Sequence, residues 1–361
     1  MKKTRTQIKL YSKNERGNIM VYTLTVFFVL IITLMHDNIE RGKKDLAFIT
    51  FFVLFVVAAL RYKIGADYAM YEATYNAVRD GVSGLRIDVS TIVLDKLLIF
   101  LGLPAQWYFI ITAFLGNYIV LKTITDEYKR VSLSFFIYIC GTLYFSTYNT
   151  TRQCLAIVIF YYSLRYIKEE NPKKYIALNI IGTLFHTSAI LFIPFYFVAK
   201  TDFKKKYFAA MAIVYLCSGT IVSIAAKILA GTKYGMYLKN PGFWDAWEAW
   251  KLSNYLNLLL FLLYYFLIKN KNTKDVTYMN VHFLGVLVSL IVTSIPLADR
   301  VFIGFRFVEF LSVPNLISRL TVSYKVKLFI KIVVYGLYFY YFVHNVLLGN
   351  SGGVMPYQSI I

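Results

Sequence analysis

The sequence predicts an all-α, polytopic integral membrane protein with about ten to twelve spanning helices, given the roughly 20 residues that one crossing needs. Three observations carry that prediction. First, of 361 residues 58% are hydrophobic and 16% charged, whereas a soluble domain carries about a quarter charged residues. That composition excludes a soluble core. Second, long apolar runs recur along the whole chain. Third, Lys and Arg gather in short segments between those runs. The net charge of +20 is therefore a positive-inside signal rather than a nucleic-acid surface.

The runs, in order, are Ile19 to Met35, Leu46 to Leu60, Trp107 to Leu121, Val131 to Ser146, Cys154 to Ile167, Tyr175 to Ala199, Tyr207 to Leu229, Tyr255 to Ile268, Val281 to Leu297 and Leu328 to Leu348. Each must be helical, because in lipid every backbone group has to pair within its own segment. No soluble domain or low-complexity linker separates them, so residues 1–361 read as one membrane domain. It has a basic tail at 1–18 and external loops at 61–105 and 230–254. The three cysteines, Cys140, Cys154 and Cys217, lie within apolar segments without metal-ligand spacing. They imply neither a disulfide frame nor a metal site.

Basic segments set the topology. Lys129 and Arg130, Lys168 to Lys174, Lys200 to Lys206, Lys269 to Lys274 and Arg319 to Lys327 face the cytoplasm, which puts the turn Tyr148 to Arg152 outside. Between the second and third basic segments only Tyr175 to Ala199 remains, which cannot cross once and return. A re-entrant hairpin of two half-length helices, with His186 near its external tip, satisfies that constraint. Tyr207 to Leu229 then leads out and Tyr255 to Ile268 back, and Asp299, Arg300 and the tail from Gly352 to Ile361 fall outside. Residues 61–105 are external if the helix around Val89 to Leu101 lies on the surface, since Asp88, Asp95 and Lys96 oppose a crossing. The segment Met1 to Arg16, with six Lys or Arg, disagrees with its external placement. Translation from Met20 is one explanation; a first span that is not a simple crossing is another.

The polar residues thus collect on one face. Asp67 stands where it would N-cap a short helix that carries Tyr68, Tyr71 and Tyr75 on one side. Those tyrosines either pack or stack on sugar rings. Thr151, Arg152 and Gln153 open a helix whose free N–H groups and first-turn arginine attract phosphate. His186, in the sequence Leu184, Phe185, His186, Thr187, Ser188, is an ionisable group at membrane depth and hence a functional candidate; a satisfied core histidine is the plainer reading. Arg306 either pairs with Glu309 one turn on or binds phosphate with Arg300. Trp244, Trp247 and Trp250 read as an interfacial stripe.

Several of these residues together resemble a known family. Arg61, Lys63, Ile64, Gly65, Asp67, Tyr68 and Tyr71, then Thr151, Arg152, Gln153, Leu155 and Ala156, then Phe185, His186, Thr187, Ser188 and Ala189 with Pro194, are similar to the EpsG-like, Wzy-type polymerases of bacterial surface polysaccharides. The Arg306 region and the closing Met355, Pro356 and Tyr357 extend the likeness over nearly the whole chain. It implies a GT-C-like glycosyltransferase of the bacterial inner (cytoplasmic) membrane, acting on the outer face without nucleotide sugar, metal or other cofactor. Such an enzyme moves a growing glycan from its undecaprenyl diphosphate onto another lipid-linked repeat unit. Its partners would be undecaprenyl-diphosphate-linked oligosaccharide, membrane lipid and a chain-length regulator, with no nucleic acid.

The polar residues suit that chemistry. Fixed guanidiniums complement a leaving diphosphate, a role for Arg152 and Arg300 first, then Arg61 and Arg306. An acceptor hydroxyl benefits from a positioned base, for which His186 leads and Asp67 follows. Gln153, Tyr68 and Tyr71 are the candidate sugar contacts. A ligase that hands finished polysaccharide to another acceptor would share these residues. A flippase for lipid-linked sugars would be expected to show internal repeats, and no motif recurs between the two halves.

Overall fold

The structure of the chain is a computed structural model, which describes residues 13–85, 87–230, 252–292 and 303–360. Its longer helices are α1 (Lys13–Asn38), α2 (Lys43–Ala59), α3 (Tyr68–Arg79), α4 (Val89–Phe100), α5 (Gln106–Glu127), α6 (Ser132–Cys140), α7 (Thr151–Ser163), α8 (Pro172–Phe185), α9 (Lys206–Leu216), α10 (Ser218–Leu229), α11 (Leu252–Leu267), α12 (Thr273–Val292), α13 (Glu309–Arg319) and α14 (Tyr324–Phe342). Among the described residues the chain is all-helical, apart from an isolated antiparallel bridge between Arg61 and Ser359.

Among the described residues, three unbroken stretches are long and apolar enough to cross a membrane: Ile19–Asn38, Gln106–Glu127 and Tyr324–Leu348. Several of the other runs make shorter or interrupted helices. The run from Val131 to Ser146 breaks at Thr142, whose φ of +74° ends α6 and starts a new turn. The run from Tyr207 to Leu229, expected as one crossing, is instead two helices, and Lys206–Leu216 and Ser218–Ile224 bend by 66°. Ser218 and Gly219 follow directly on Cys217, a pairing that weakens the helical ladder where it kinks.

The expected turn at His186 is present. Helix α8 stops at Phe185 and a 3-10 turn over Thr187–Phe192 leads into Phe195–Ala199. Tyr175 Oη donates to the Phe192 carbonyl at 2.7 Å, and the Tyr175 and Tyr196 rings lie 5.2 Å apart. The chain therefore folds back as a helical hairpin.

Two compact units make up the chain, one of Met1–Tyr162, Leu178–Ile190 and Leu328–Ile361, the other of Ser163–Ala177 and Leu191–Lys327. In the first, α1 packs on α2 and α6, α2 on α5, and α4 on both α3 and α5. The two ends of α1 meet different partners. Tyr22 Oη donates to the Val354 carbonyl at 2.9 Å, whereas Asp37 accepts from Val131 N at 2.6 Å. The chain's tail thus sits at one end of the helix and the segment after Lys129 and Arg130 at the other, about 22 Å away at 1.5 Å per residue.

The second unit is built around α12, against which α9, α10, α11 and α13 pack. A histidine in its interior is matched on both ring nitrogens. His282 is fully buried between Asn257 Oδ1 at 2.5 Å and Ser312 Oγ at 2.8 Å. Basic segments meet at one end: Lys200 pairs with Glu170 at 2.9 Å, Arg319 pairs with Asp275 at 2.9 Å, and Arg319 Nη2 donates to the Asn270 carbonyl at 2.6 Å.

Candidate functional site

The site is assembled on a strap of extended backbone after α2. The chain tail runs antiparallel beside it, with Tyr62 N donating to Gln358 O, Gly65 N to Gly353 O, Ala66 N to Gly352 O and Ile360 N to Leu60 O. Gly65 (φ +101°) and Gly352 (φ +83°) make this possible, because each adopts a left-handed conformation and each lies hard against the Tyr148 to Asn149 turn. A Cβ on Gly65 would collide with the Tyr148 carbonyl, and one on Gly352 with the Asn149 amide. The strap, the tail and the turn before α7 are thereby locked together.

Arg61 lies inside this assembly. Its guanidinium is sandwiched at 4.6 Å from the Tyr148 ring centroid and 4.9 Å from that of Phe109, and Nη1 donates to the Ala58 carbonyl at 2.7 Å. The side chain is 1% exposed, so Arg61 sits beneath the site rather than at its surface. It also lines a small internal cavity with Thr112, Asn117, Thr147 and Thr151.

Helix α3 presents its tyrosines inward, as packing requires. Tyr68 stacks on Phe109 at 4.3 Å and donates to Gln106 Oε1 at 2.8 Å. Tyr71 stacks on Tyr108 at 5.1 Å, and Tyr75 Oη donates to the Leu103 carbonyl at 2.6 Å. Gln106 passes the connection on, donating to the carbonyls of Ala59 and Arg61. Asp67 occupies the N-cap position of α3, yet makes no side-chain cap bond.

On this aromatic floor a charged cluster converges from three elements. Asp88, preceding α4, accepts from Arg152 Nη1 at 3.2 Å, from Thr187 Oγ1 at 3.1 Å and from His186 Nδ1 at 3.4 Å. A carboxylate can only accept, so Nδ1 carries the hydrogen, which in a neutral imidazole leaves the lone pair on Nε2. Arg152 is braced by Tyr71: its guanidinium lies 5.4 Å from that ring, and its backbone N reaches Tyr71 Oη at 3.5 Å. Asp88 keeps 4% of its side chain exposed, against 18% for Arg152 and 17% for His186. The carboxylate is thus the buried anchor, and the cation and the imidazole keep an accessible edge.

Arg152, His186 and Tyr71 are therefore brought together, with Tyr68 one turn away on the same aromatic face. Gln153 follows Arg152 but is buried. Arg306, its guanidinium 5.0 Å from the Phe307 ring, belongs to the second unit, as does the buried Glu309. Arg300, Asp299 and the tryptophans at 244, 247 and 250 lie outside the described residues, as do residues 1–12. Asp88 and Asp95 were not expected in the site. Their signal was the spacing of Asp88, Thr91 and Asp95, which places all three on one face of a helix. Among the described residues, no group of three or more His, Cys, Asp or Glu side chains is placed to hold a metal ion.

An all-helical membrane protein, with an arginine, a histidine and a buried aspartate converging at one end of its spans, is the class that fold and site define. The chain belongs to the EpsG family, whose family model matches residues 44–359. Membership associates it with membrane-bound, glycosyltransferase-like polysaccharide polymerases. Neither the curated proteins nor the solved structures contain a match to the chain.

Proposed function

We propose that the protein is a Wzy-type, GT-C-like glycosyltransferase of the bacterial inner membrane that polymerises undecaprenyl-diphosphate-linked oligosaccharide repeat units on the outer face. The observation that carries this reading is the convergence of Arg152, His186 and Asp88 in a chain of the EpsG family. The arrangement has the parts that glycosyl transfer from a lipid diphosphate needs. The acceptor hydroxyl attacks the anomeric carbon as the bond to the diphosphate breaks. His186 Nε2 takes the hydroxyl proton, and Asp88 stabilises the imidazolium that forms. The diphosphate leaves with the electron pair, and Arg152 neutralises the charge it gains. Arg306 and Arg300 remain candidate phosphate contacts, and Tyr71 and Tyr68 candidate sugar-stacking rings. Asp67, which makes no side-chain cap bond, is the weaker base.

The membrane arrangement belongs to the same proposal: ten to twelve or so crossings of about 20 residues, the hairpin at His186 re-entrant from the outer face, and the basic segments cytoplasmic. A chain-length regulator would act as a separate partner. Purified protein in lipid, given a synthetic undecaprenyl diphosphate repeat unit, tests the reading. A ladder of products should appear and be lost in Arg152→Ala, Arg152→Lys and His186→Ala, the last by about 10²- to 10⁴-fold as expected for a missing base. Normal chain lengths in the Arg152 variants would remove that residue from the site. Single units unchanged by folded wild-type protein would point to a ligase or a transporter instead.

A further inference from the structure

The amphipathic character of α4 is inverted. Its buried stripe carries Thr91, Asp95 and Leu98 and continues from Asp88, while Val89, Val93, Leu97 and Phe100 are exposed. Such a helix turns its apolar side to lipid and its polar side to the protein. Asp88 is engaged by three donors, and Thr91 Oγ1 lies 3.4 Å from Tyr108 Oη. Asp95, two turns beyond Asp88, is 1% exposed, and neither carboxylate oxygen has a hydrogen-bond partner among the described residues.

Tyr71 and Tyr75 from α3 and Tyr108 from α5 cluster with Leu98 of α4, Tyr108 and Arg152 from α7 interact electrostatically with Asp95, and Asp88 and exposed Lys96 lie just before and within α4 itself. Beyond Asp88 stands His186. Of these, Arg152 is the positive charge that acts on Asp95, and its Nη1 is already bonded to Asp88. A buried carboxylate so placed is destabilised when ionised. Burial pushes the Asp95 carboxyl up to about 7, with Arg152 opposing the rise.

We propose that Asp95 sets the charge of the anion site: it stands beside Arg152 as a neutral acid, and losing its proton weakens the binding of a diphosphate. This deepens, and rests on, the reading of Arg152 as a diphosphate contact. With Asp95 neutral, the charges of Arg152 and Asp88 cancel and the incoming phosphates meet no surplus negative charge. With Asp95 ionised, the cluster carries one net negative charge against a ligand that is itself anionic. At distances of several ångströms and an effective dielectric near 20, that repulsion is worth about a ten- to hundredfold loss of affinity.

The test is binding of farnesyl diphosphate to full-length protein in nanodiscs at pH 6 and pH 8.5. Wild-type affinity should fall by about ten- to a hundredfold across that range, and the fall should vanish in Asp95→Asn and in Asp95→Leu. The ligand's own titration is common to all three proteins, so the difference between them isolates residue 95. An equal pH slope in wild type and both variants overturns the proposal. Arg152→Ala separates the layers: binding lost at both pH values supports the diphosphate site, whereas wild-type binding overturns that site and the role of Asp95 with it.

Discussion

Arg61 and Arg152 carry the same charge and open two stretches with the same expected task, yet their surroundings give them different work. Arg152 keeps an accessible edge and a carboxylate partner, whereas Arg61 is closed between two aromatic rings. A desolvated cation over a ring is worth up to about 2 kcal/mol, and the flat guanidinium that fits between two rings has no counterpart in the compact, strongly hydrated lysine head. Arg61→Lys should therefore lower thermal stability in detergent, by about 2–4 kcal/mol, while Arg152→Lys leaves the melting temperature near that of wild type and removes activity. Equal melting of Arg61→Lys and wild type would show that the sandwich contributes nothing. At this scale the sequence made Arg152 visible as the cation in the first turn of a helix that opens after an external turn, and His186 because it interrupts an otherwise apolar segment. Asp88 and Asp95 were visible only as charges that opposed a crossing. Their convergence with Arg152 depends on how α4 rolls against α3 and α5, and no local pattern encodes that contact.

Among the elements, the strap at 60–66 and the tail at 352–360 show what a helical protein does with extended chain. Their bonds run backbone to backbone, so they leave no side-chain pattern to read; only the glycines that permit the close approach are marked in the sequence. That makes a graded prediction possible. Gly84 also has a left-handed φ (+75°), but a Cβ there would meet nothing within 4 Å. Gly84→Ala should cost only the backbone strain of about 1–2 kcal/mol. Gly352→Ala adds a collision with Asn149, and should cost clearly more in thermal stability and reduce polymerisation by displacing the turn that precedes Arg152. Similar melting of the two variants would count against the tail as the lock of the site. The same logic explains which helix boundaries were legible. The helix end at Phe185 lies within the stretch where counting basic segments calls for a bend, whereas the kink at Cys217 is hidden within a run that stays apolar on both sides of Ser218 and Gly219.

For the whole molecule, the arrangement of ends carries the strongest consequence. Within the first unit, Tyr22, Tyr148 and Tyr357 gather at one end of α1, and Asp37 meets Val131 and Ser132 at the other. Tyr335 Oη reaches Ser132 Oγ at 3.1 Å on that second end. Lys129 and Arg130 directly precede Val131, so the positive segment and the site lie at opposite ends of one helix about 22 Å of which separates Tyr22 from Asp37. Within the second unit the segments holding Glu170, Lys200, Asn270 and Arg319 share an end. Basic segments are retained on the cytoplasmic side, so the proposed topology puts Lys129 and Arg130 inside and the opposite end of the first unit, with Arg152 and His186, outside. A single cysteine placed at Gly84, in a variant whose native cysteines are replaced by serine, should react with a membrane-impermeant maleimide on intact cells. One placed at Lys129 should react only after the membrane is opened. The reverse pattern would put the site on the cytoplasmic face, where an activated nucleotide sugar is available and transfer from an outward-facing lipid diphosphate has no place.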